Sequence, residues 1–484
     1  MTVSDEALPD VTRVEDLHKL RGSLNTFKLL FAVLAFNGPI VAVVSFLPLV
    51  VAFGNGLGAP SAFIACGVLV ALFASGFIKM SKHVDNPGGF YSFVTKGLGK
   101  EFGLGAAFLA IIGYGLIYVA GYPLLGNYLQ ALVRDTFHGP DIPWQFLAVL
   151  ALIVVSVFGY FNVEFSARTL TFCMVLEALM IVVYVAAVVG RGGANGLSAH
   201  SFAPSNIFSG NIGLGLLFAI LCLSGFEVTV IFRDEVKDPD KTISRATYWF
   251  IAIIGIGYTV STWAFIQAVG EADVITKSQT DPTGTSLDTF RTFTGVVSTD
   301  LVTVLVCTGT FASLLGIHNV LSRYVFNLGV DGVLPQRLGM VHDRHGSPHR
   351  GSFVISALAA IATLAMIVLN ANPKTVYAPL SGASGYGFIL GLTLTTVAII
   401  VFMHRERPSN TTIWHRVVAP TLTLIGLAGV LVLGFENIGL LVGDNVGVTT
   451  AMLSLLFGAL AVGIIWANVL KRTRPAAYAK IGRQ

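Results

Sequence analysis

Twelve apolar stretches follow one another through this sequence, at 27–53, 58–78, 103–133, 143–160, 168–190, 211–232, 247–269, 300–327, 352–370, 379–403, 417–434 and 448–470. A helix needs roughly 20 apolar residues to cross a bilayer, and most of these stretches meet that length. Inside hydrocarbon every backbone N–H and C=O must find a partner within the protein, so such segments have to be helical. Composition agrees: 54% of residues are hydrophobic and 12% charged, where a soluble domain carries roughly 25% charged residues. Mean hydropathy is +0.77. The expectation is an all-α integral membrane protein of 12 transmembrane helices. The longest polar loop lies around 270–299, so function has to sit among the helices.

Lys and Arg set the orientation. With the N-terminus in the cytoplasm, only Arg134, Arg191, Lys277, Arg291 and Lys374 fall on the far side, leaving 25 of the 30 basic residues inside. A bias of that size places both termini in the cytoplasm of a multi-pass protein of the cell membrane. It also accounts for the basic pI of 8.8, so no nucleic acid partner is expected. The opening "MTVSDEALPDVTRVEDLHKL" has no apolar core and predicts no cleaved signal peptide. Cys66, Cys173, Cys222 and Cys307 lie within the stretches without C-x-x-C spacing, and read as small buried residues.

Two places interrupt the apolar pattern. In the first stretch Asn37-Gly38-Pro39 sits mid-run; Pro39 has no N–H for the carbonyl of Ala35, and Gly38 adds backbone freedom. In the sixth, Ser224-Gly225-Phe226 precedes a carboxylate, Glu227, and an unpaired charge in hydrocarbon costs about 3 kcal/mol or more. The remaining glycines of the spans read as close helix packing. Five spans separate the breaks, so twelve spans divide as five, five and two, with the first helix of each half discontinuous. That spacing predicts an inverted repeat with a binding site at the membrane midplane. The domain reading follows: a cytoplasmic tail 1–26, a transport core 27–403 (helices 1–5 at about 27–190, helices 6–10 at about 211–403), two extra helices in 404–470 and a cytoplasmic tail 471–484. Half-helix N-termini there offer N–H groups to an anion, and half-helix C-termini offer carbonyls to a cation.

Four stretches carry a family resemblance. "NPGGFYSFVTKGLGKEFG" (86–103) holds a P-G-G-x-Y pattern, and "GYFNVEFSARTL" (159–170) follows the fourth span. "LCLSGFEVTVIFRDEVKDPDKTISRA" (221–246) pairs G-F-E with E-x-K-x-P. "SLLGIHNVLSRYVFNLGVDGVLP" (313–335) leads N-x-x-x-R into D-G-x-L-P. The chain resembles the amino acid–polyamine–organocation (APC) superfamily of secondary transporters over nearly its whole length. The resemblance implies the LeuT-like inverted 5+5 repeat and alternating access driven by an ion gradient or by exchange. It also implies substrate held at the unwound parts of helices one and six, here Phe36, Asn37, Gly38, Pro39, Ile40 and Val41 with Ser224, Gly225, Phe226 and Glu227. Several relatives offer a substrate carboxylate bare amides at the first break; Pro39 cannot donate, so that site is altered or displaced. Exchangers of the family can carry a bulky aromatic gate six residues before the helix-six Glu. That position is Leu221 here, and gating falls to Phe218 or Phe226.

Among ionisable residues, Glu227 pairs either with Arg233 six residues on, or with a substrate ammonium, or exchanges a proton. Glu177, in mid-span, stands by alignment where some proton-coupled relatives carry a lysine; it either holds a proton or helps bind a cation with Thr308, Thr310 or Ser313. Two acids with no intramembrane base beside them suit a proton or an ammonium-bearing substrate. Tyr114, Tyr118 and Tyr122 recur every four residues, and Tyr118 is a candidate wall of the pathway. His342, His345 and His349 lie where Gly346 and Pro348 break any aligning helix, so no metal site is expected. No P-loop, H-E-x-x-H or G-x-S-x-G occurs, and neither ATP-driven transport nor those enzyme classes are expected. The expected function is secondary transport of an amino acid or related amine, by proton symport or exchange. The alternatives are a polyamine or organocation carrier, and, from another class, a channel or membrane sensor. No cofactor is expected beyond a coupling H+ or Na+. The expected partners are the small-molecule substrate and the lipid bilayer, and the chain is read as a monomer or homodimer.

Overall fold

The computed structural model describes residues 25–84, 89–161, 167–231, 236–342, 347–409 and 411–482. All regular elements among them are helical. Among the described residues ten helices are long and apolar enough to cross a membrane, and two apolar ones, Trp144–Tyr160 and Ile212–Cys222, are shorter. The twelve stretches read from sequence therefore meet ten elements of spanning length. The stretch at 143–160 is held to 17 residues because its helix starts only after Pro143. The stretch at 211–232 divides, ending at Cys222 and resuming at Val228–Ile231, where the described residues break off.

The Lys100–Ala131 helix makes many of the contacts between helices. It packs on Phe90–Leu98, Trp144–Tyr160, Val296–Val330, Pro373–Glu406 and Val446–Thr473. Small residues let these backbones approach. A Cβ added at Gly463 would stand 2.6 Å from the Gly105 Cα, and one added at Gly387 would stand 3.5 Å from the Gly113 Cα. In lipid, where burying apolar surface between helices gains little, such close contact is a main source of attraction.

Charged residues collect at two ends. At one, Lys82 pairs with Asp240 at 2.8 Å and Lys471 with Glu101 at 3.0 Å. At the other, Arg134, Arg291 and Lys374 line one polar cavity, and Arg191 donates to the Thr292 carbonyl at 2.8 Å. These last four bases are among the five that the sequence sets apart from the rest.

Candidate functional site

The first interruption is built by three consecutive residues. The Thr26–Asn37 helix ends on Gly38, which has a left-handed backbone (φ 62°), and a new helix starts on Pro39. A proline is suited to that first position because its missing N–H would have no partner there. The Ile40 N–H goes to the Glu177 carboxylate (Oε2, 3.2 Å), and the Val41 N–H turns to the Gly38 carbonyl (3.0 Å). The carbonyls of Ala35, Phe36 and Asn37 thus lose the partners that a continuous helix supplies. Beyond Val41 the chain passes through a π-helical turn, Ala42–Phe46, into Leu47–Phe53.

The second interruption closes on itself through Glu227. Gly225 takes φ 109°, and its N–H donates to Glu227 Oε2 at 2.9 Å. Tyr114 donates to the other oxygen, Oε1, at 3.1 Å. Glu227 is buried, and these two donors replace the water it has lost. Arg233, its other candidate partner, lies outside the described residues.

One side chain ties the breaks together. Asn37 Nδ2 donates to the carbonyls of Cys222 and Ser224, each at 2.9 Å, and Asn37 Oδ1 accepts from the Tyr258 hydroxyl at 2.6 Å. The residue that ends the first helix therefore satisfies carbonyls released by the end of the other.

A cavity of about 130 Å³ lies against this knot. Asn37, Val41, Leu221, Ser224, Thr310 and Ser313 line it, and so do Tyr114, Cys222, Tyr377 and Ser384. Along Lys100–Ala131 its wall extends from Ala106 to Leu124, about 27 Å at 1.5 Å rise per residue. None of the described lining residues is charged. Phe46 and Tyr377 meet at one end (ring centroids 5.4 Å apart), and Phe90 and Phe388 at another part of the wall (5.6 Å).

The structure separates the remaining candidates. Gly38, Pro39 and Ile40 are buried behind the lining, and a Cβ on Gly38 would come within 3.2 Å of Ser313 Oγ. The Phe36 side chain lies outside the described residues. Of the three gating candidates, Leu221 alone lines the cavity. Phe226 packs edge-on against Phe73 and Phe77, and Phe218 is buried beside Gly382. Tyr118 is also off the wall. Its hydroxyl accepts from Tyr122 at 2.5 Å and bonds His318 Nδ1 at 2.8 Å, while His318 Nε2 meets Ser352 Oγ at 2.8 Å. Within the tyrosine stripe it is Tyr114 that faces the cavity, because each four-residue step overshoots a full turn by about 40° and carries Tyr118 and Tyr122 off the face that Gly113, Ile117 and Gly121 present. Glu177 and Thr308 line a second, apolar cavity of about 440 Å³. Glu177 thus reaches the site only through the Ile40 N–H. Tyr377 and Ser384 went unread in the sequence; "SGASGYG" offered small-residue packing as its plainer meaning.

The sequence profile of the amino acid permease family matches residues 24–467. The chain belongs to the amino acid permease family. This permease is 24% identical over 307 residues to the cystine/glutamate transporter of Homo sapiens, covering 61% of the chain and 58% of that relative, so it spans less than two thirds of the relative's length. It is 23% identical over 422 residues to the low-affinity putrescine importer PlaP of Escherichia coli (strain K12), covering 84% of the chain and 86% of that protein. Over 347 residues it is 21% identical to the serine/threonine exchanger SteT of Bacillus subtilis (strain 168), with 71% and 76% covered. Among solved structures, a mutant of the Eremococcus coleocola manganese transporter superposes with a TM-score of 0.56 at 13% identity, covering 96% of the permease and 99% of that chain. At that identity the likeness concerns the fold. The family and these relatives are permeases, not enzymes, and with its apolar helices the chain is a multi-pass membrane protein.

Proposed function

We propose that this permease is a secondary active transporter of amino acids or related amines, working by alternating access through the cavity at the two breaks. The carrying observation is the Asn37 bracket: the end of one helix holds the carbonyls of the other on the wall of a central cavity. A ligand that competes for those groups changes how the two interruptions are joined, which is the kind of differential contact a conformational change requires. The wall is uncharged and largely apolar, and the acid behind it, Glu227 bonded to the lining residue Tyr114, favours a cargo bearing an ammonium group. The putrescine importer among the relatives favours a polyamine as the second reading.

The finer architecture belongs to the same proposal: twelve spans in an inverted repeat of five and five plus two, discontinuous first and sixth helices, both termini cytoplasmic in the cell membrane, and a monomer or homodimer. Coupling is proposed to run on protons. Each buried acid holds a backbone N–H beside a break, Glu177 that of Ile40 and Glu227 that of Gly225. Neutralising either acid weakens a charge-assisted bond and loosens its turn. Thr310 and Ser313 line the cavity on the facing helix, where they would meet the cargo or a cation.

Liposomes containing the permease test this directly. Amino acids and putrescine are offered with and without proton and sodium gradients and with substrate on the trans side. Saturable uptake accelerated by a proton gradient or by trans substrate is expected. Unsaturable flux would identify a channel, and acceleration by sodium alone would overturn proton coupling.

A further inference from the structure

Three cavities stand in line at the end of the bundle that holds Arg134, Arg291 and Lys374. The outermost, of about 320 Å³, is the polar one these bases line, together with acids that include Asp281, Asp288 and Asp300. The innermost is the central cavity. Between them lies a neck of only about 10 Å³. Asn127, Thr283 and Lys374 are shared between the neck and the outer cavity, and Leu124 and Tyr377 between the neck and the central one. One ion pair, Lys374 Nζ with Asp281 Oδ2, crosses at the junction of the outer cavity and the neck.

The two partners belong to different bodies. Lys374 lies in the first turn of Pro373–Glu406, the helix that also carries Tyr377 and Ser384. Asp281 caps Pro282–Thr294 by accepting the Gly284 N–H at 3.1 Å. Pro282–Thr294 and its neighbour Val274–Thr280 form a hairpin anchored to the restarted first helix. Gln279 Nε2 donates to the Ala52 carbonyl at 3.0 Å, and Ser286 Oγ to that of Val43 at 3.4 Å. The hairpin is held as well by the Ala167–Arg191 helix, where the Tyr184 and Thr289 hydroxyls meet at 2.8 Å, so the ion pair joins this assembly to the separate Pro373–Glu406 helix. Below the pair, Phe46 of the first body meets Tyr377 of the second.

We propose that the Asp281–Lys374 pair is the latch that closes the central cavity at this end, with Phe46 and Tyr377 as the plug beneath it. The neck is then the passage between the charged vestibule and the cargo site. Cargo entering here passes between a carboxylate and an ammonium, so the vestibule suits a small molecule carrying both charges. The latch presupposes the transport reading, but its test is read without any cargo.

Cys222 lines the central cavity and reports when that cavity opens. The full chain carrying Cys66→Ala, Cys173→Ala and Cys307→Ala is placed in sealed vesicles of both orientations, and a membrane-impermeant thiol reagent is added outside. Lys374→Gln should raise the rate of Cys222 modification about five-fold or more in one vesicle orientation only. The exchange Asp281→Lys with Lys374→Asp restores the pair with its charges reversed and should bring the rate back toward the parent. A rise in neither orientation, or an equal rise in both, overturns the latch. So does a charge exchange that stays as fast as Lys374→Gln. Loss of uptake with these rates as expected would count against the transport reading and leave the latch standing.

Discussion

Asn37 does with one amide what two turns of continuous helix would otherwise do. Its NH2 group serves the Cys222 and Ser224 carbonyls, and its oxygen takes the Tyr258 proton. Leaving a buried polar group without a partner costs about 1–3 kcal/mol. Asn37→Ala strips three bonds and should lower the melting temperature in detergent clearly. Asn37→Asp keeps an acceptor for Tyr258 but no donor, so it should not rescue the loss. A melting temperature equal to the parent's would show that the bracket carries no stability. Glu227 is the converse case, an acceptor of two donors. Glu227→Gln keeps one good acceptor oxygen and presents an NH2 to either Gly225 N–H or Tyr114 OH. Uptake should fall about ten-fold or more, equivalent to about 1.4 kcal/mol, while Tyr114→Phe, which removes one donor only, should fall less. Full gradient-driven accumulation by Glu227→Gln would remove that residue from the coupling proposal.

At the scale of elements, the interruptions depend on two left-handed glycines. Gly225 at φ 109° and Gly38 at φ 62° occupy backbone that a side chain strains, at about 1–3 kcal/mol each. Gly38→Ala also presses on Ser313 Oγ. Gly257 sits inside the Pro239–Val269 helix with no atom within 4 Å of an added Cβ. Gly257→Ala should therefore be neutral or raise stability by up to about 1 kcal/mol through helix propensity, whereas Gly38→Ala and Gly225→Ala should lower it. Thermal melts of the three variants compare directly, and equal effects would show that the turns hold no special backbone. Sequence marked both places as weak, through Asn-Gly-Pro and Ser-Gly before an acid. Which polar groups the turns free, and which side chains take them, depended on contacts 185 and 187 residues apart in the chain.

Across the whole molecule, the last described residues fold back onto the bundle. Ile481 is buried in a cluster with Tyr91, Leu104 and Leu328, and Lys100 Nζ donates to the Ala479 carbonyl at 2.7 Å. Tyr91 donates to Asp331 Oδ2 at 2.7 Å and accepts the Gly482 N–H at 2.8 Å. Burial holds the Asp331 carboxyl above the usual carboxylate range, against the opposite pull of the Tyr91 hydroxyl. The folded protein therefore holds this proton better than the unfolded chain does. That contribution to stability is complete below the ordinary carboxylate range and is lost as pH rises through the raised value of the folded form. The melting temperature in detergent should fall as pH rises through that window. In Asp331→Asn, whose amide oxygen still accepts from Tyr91, that dependence should disappear; a persisting dependence would assign it to another group.

Hydropathy alone determined the all-helical membrane character, because apolar stretches of spanning length leave the backbone no other way to satisfy itself in lipid. The motifs at 86–103, 221–246 and 313–335 pointed to the family for a related reason, since they are local strings that survive without knowledge of packing. Tertiary structure decided the rest. It placed Tyr114 rather than Tyr118 on the cavity wall and turned Glu177 away from the cavity onto the Ile40 N–H. It also made Asn37 a bracket between two helices and brought Asp281 across to Lys374. Each of these is a choice of partner for a polar group, and a polar group in a low-dielectric interior takes whatever partner the fold brings within about 3 Å. Periodicity along the chain shows which groups need partners; only the assembled bundle shows which ones they find.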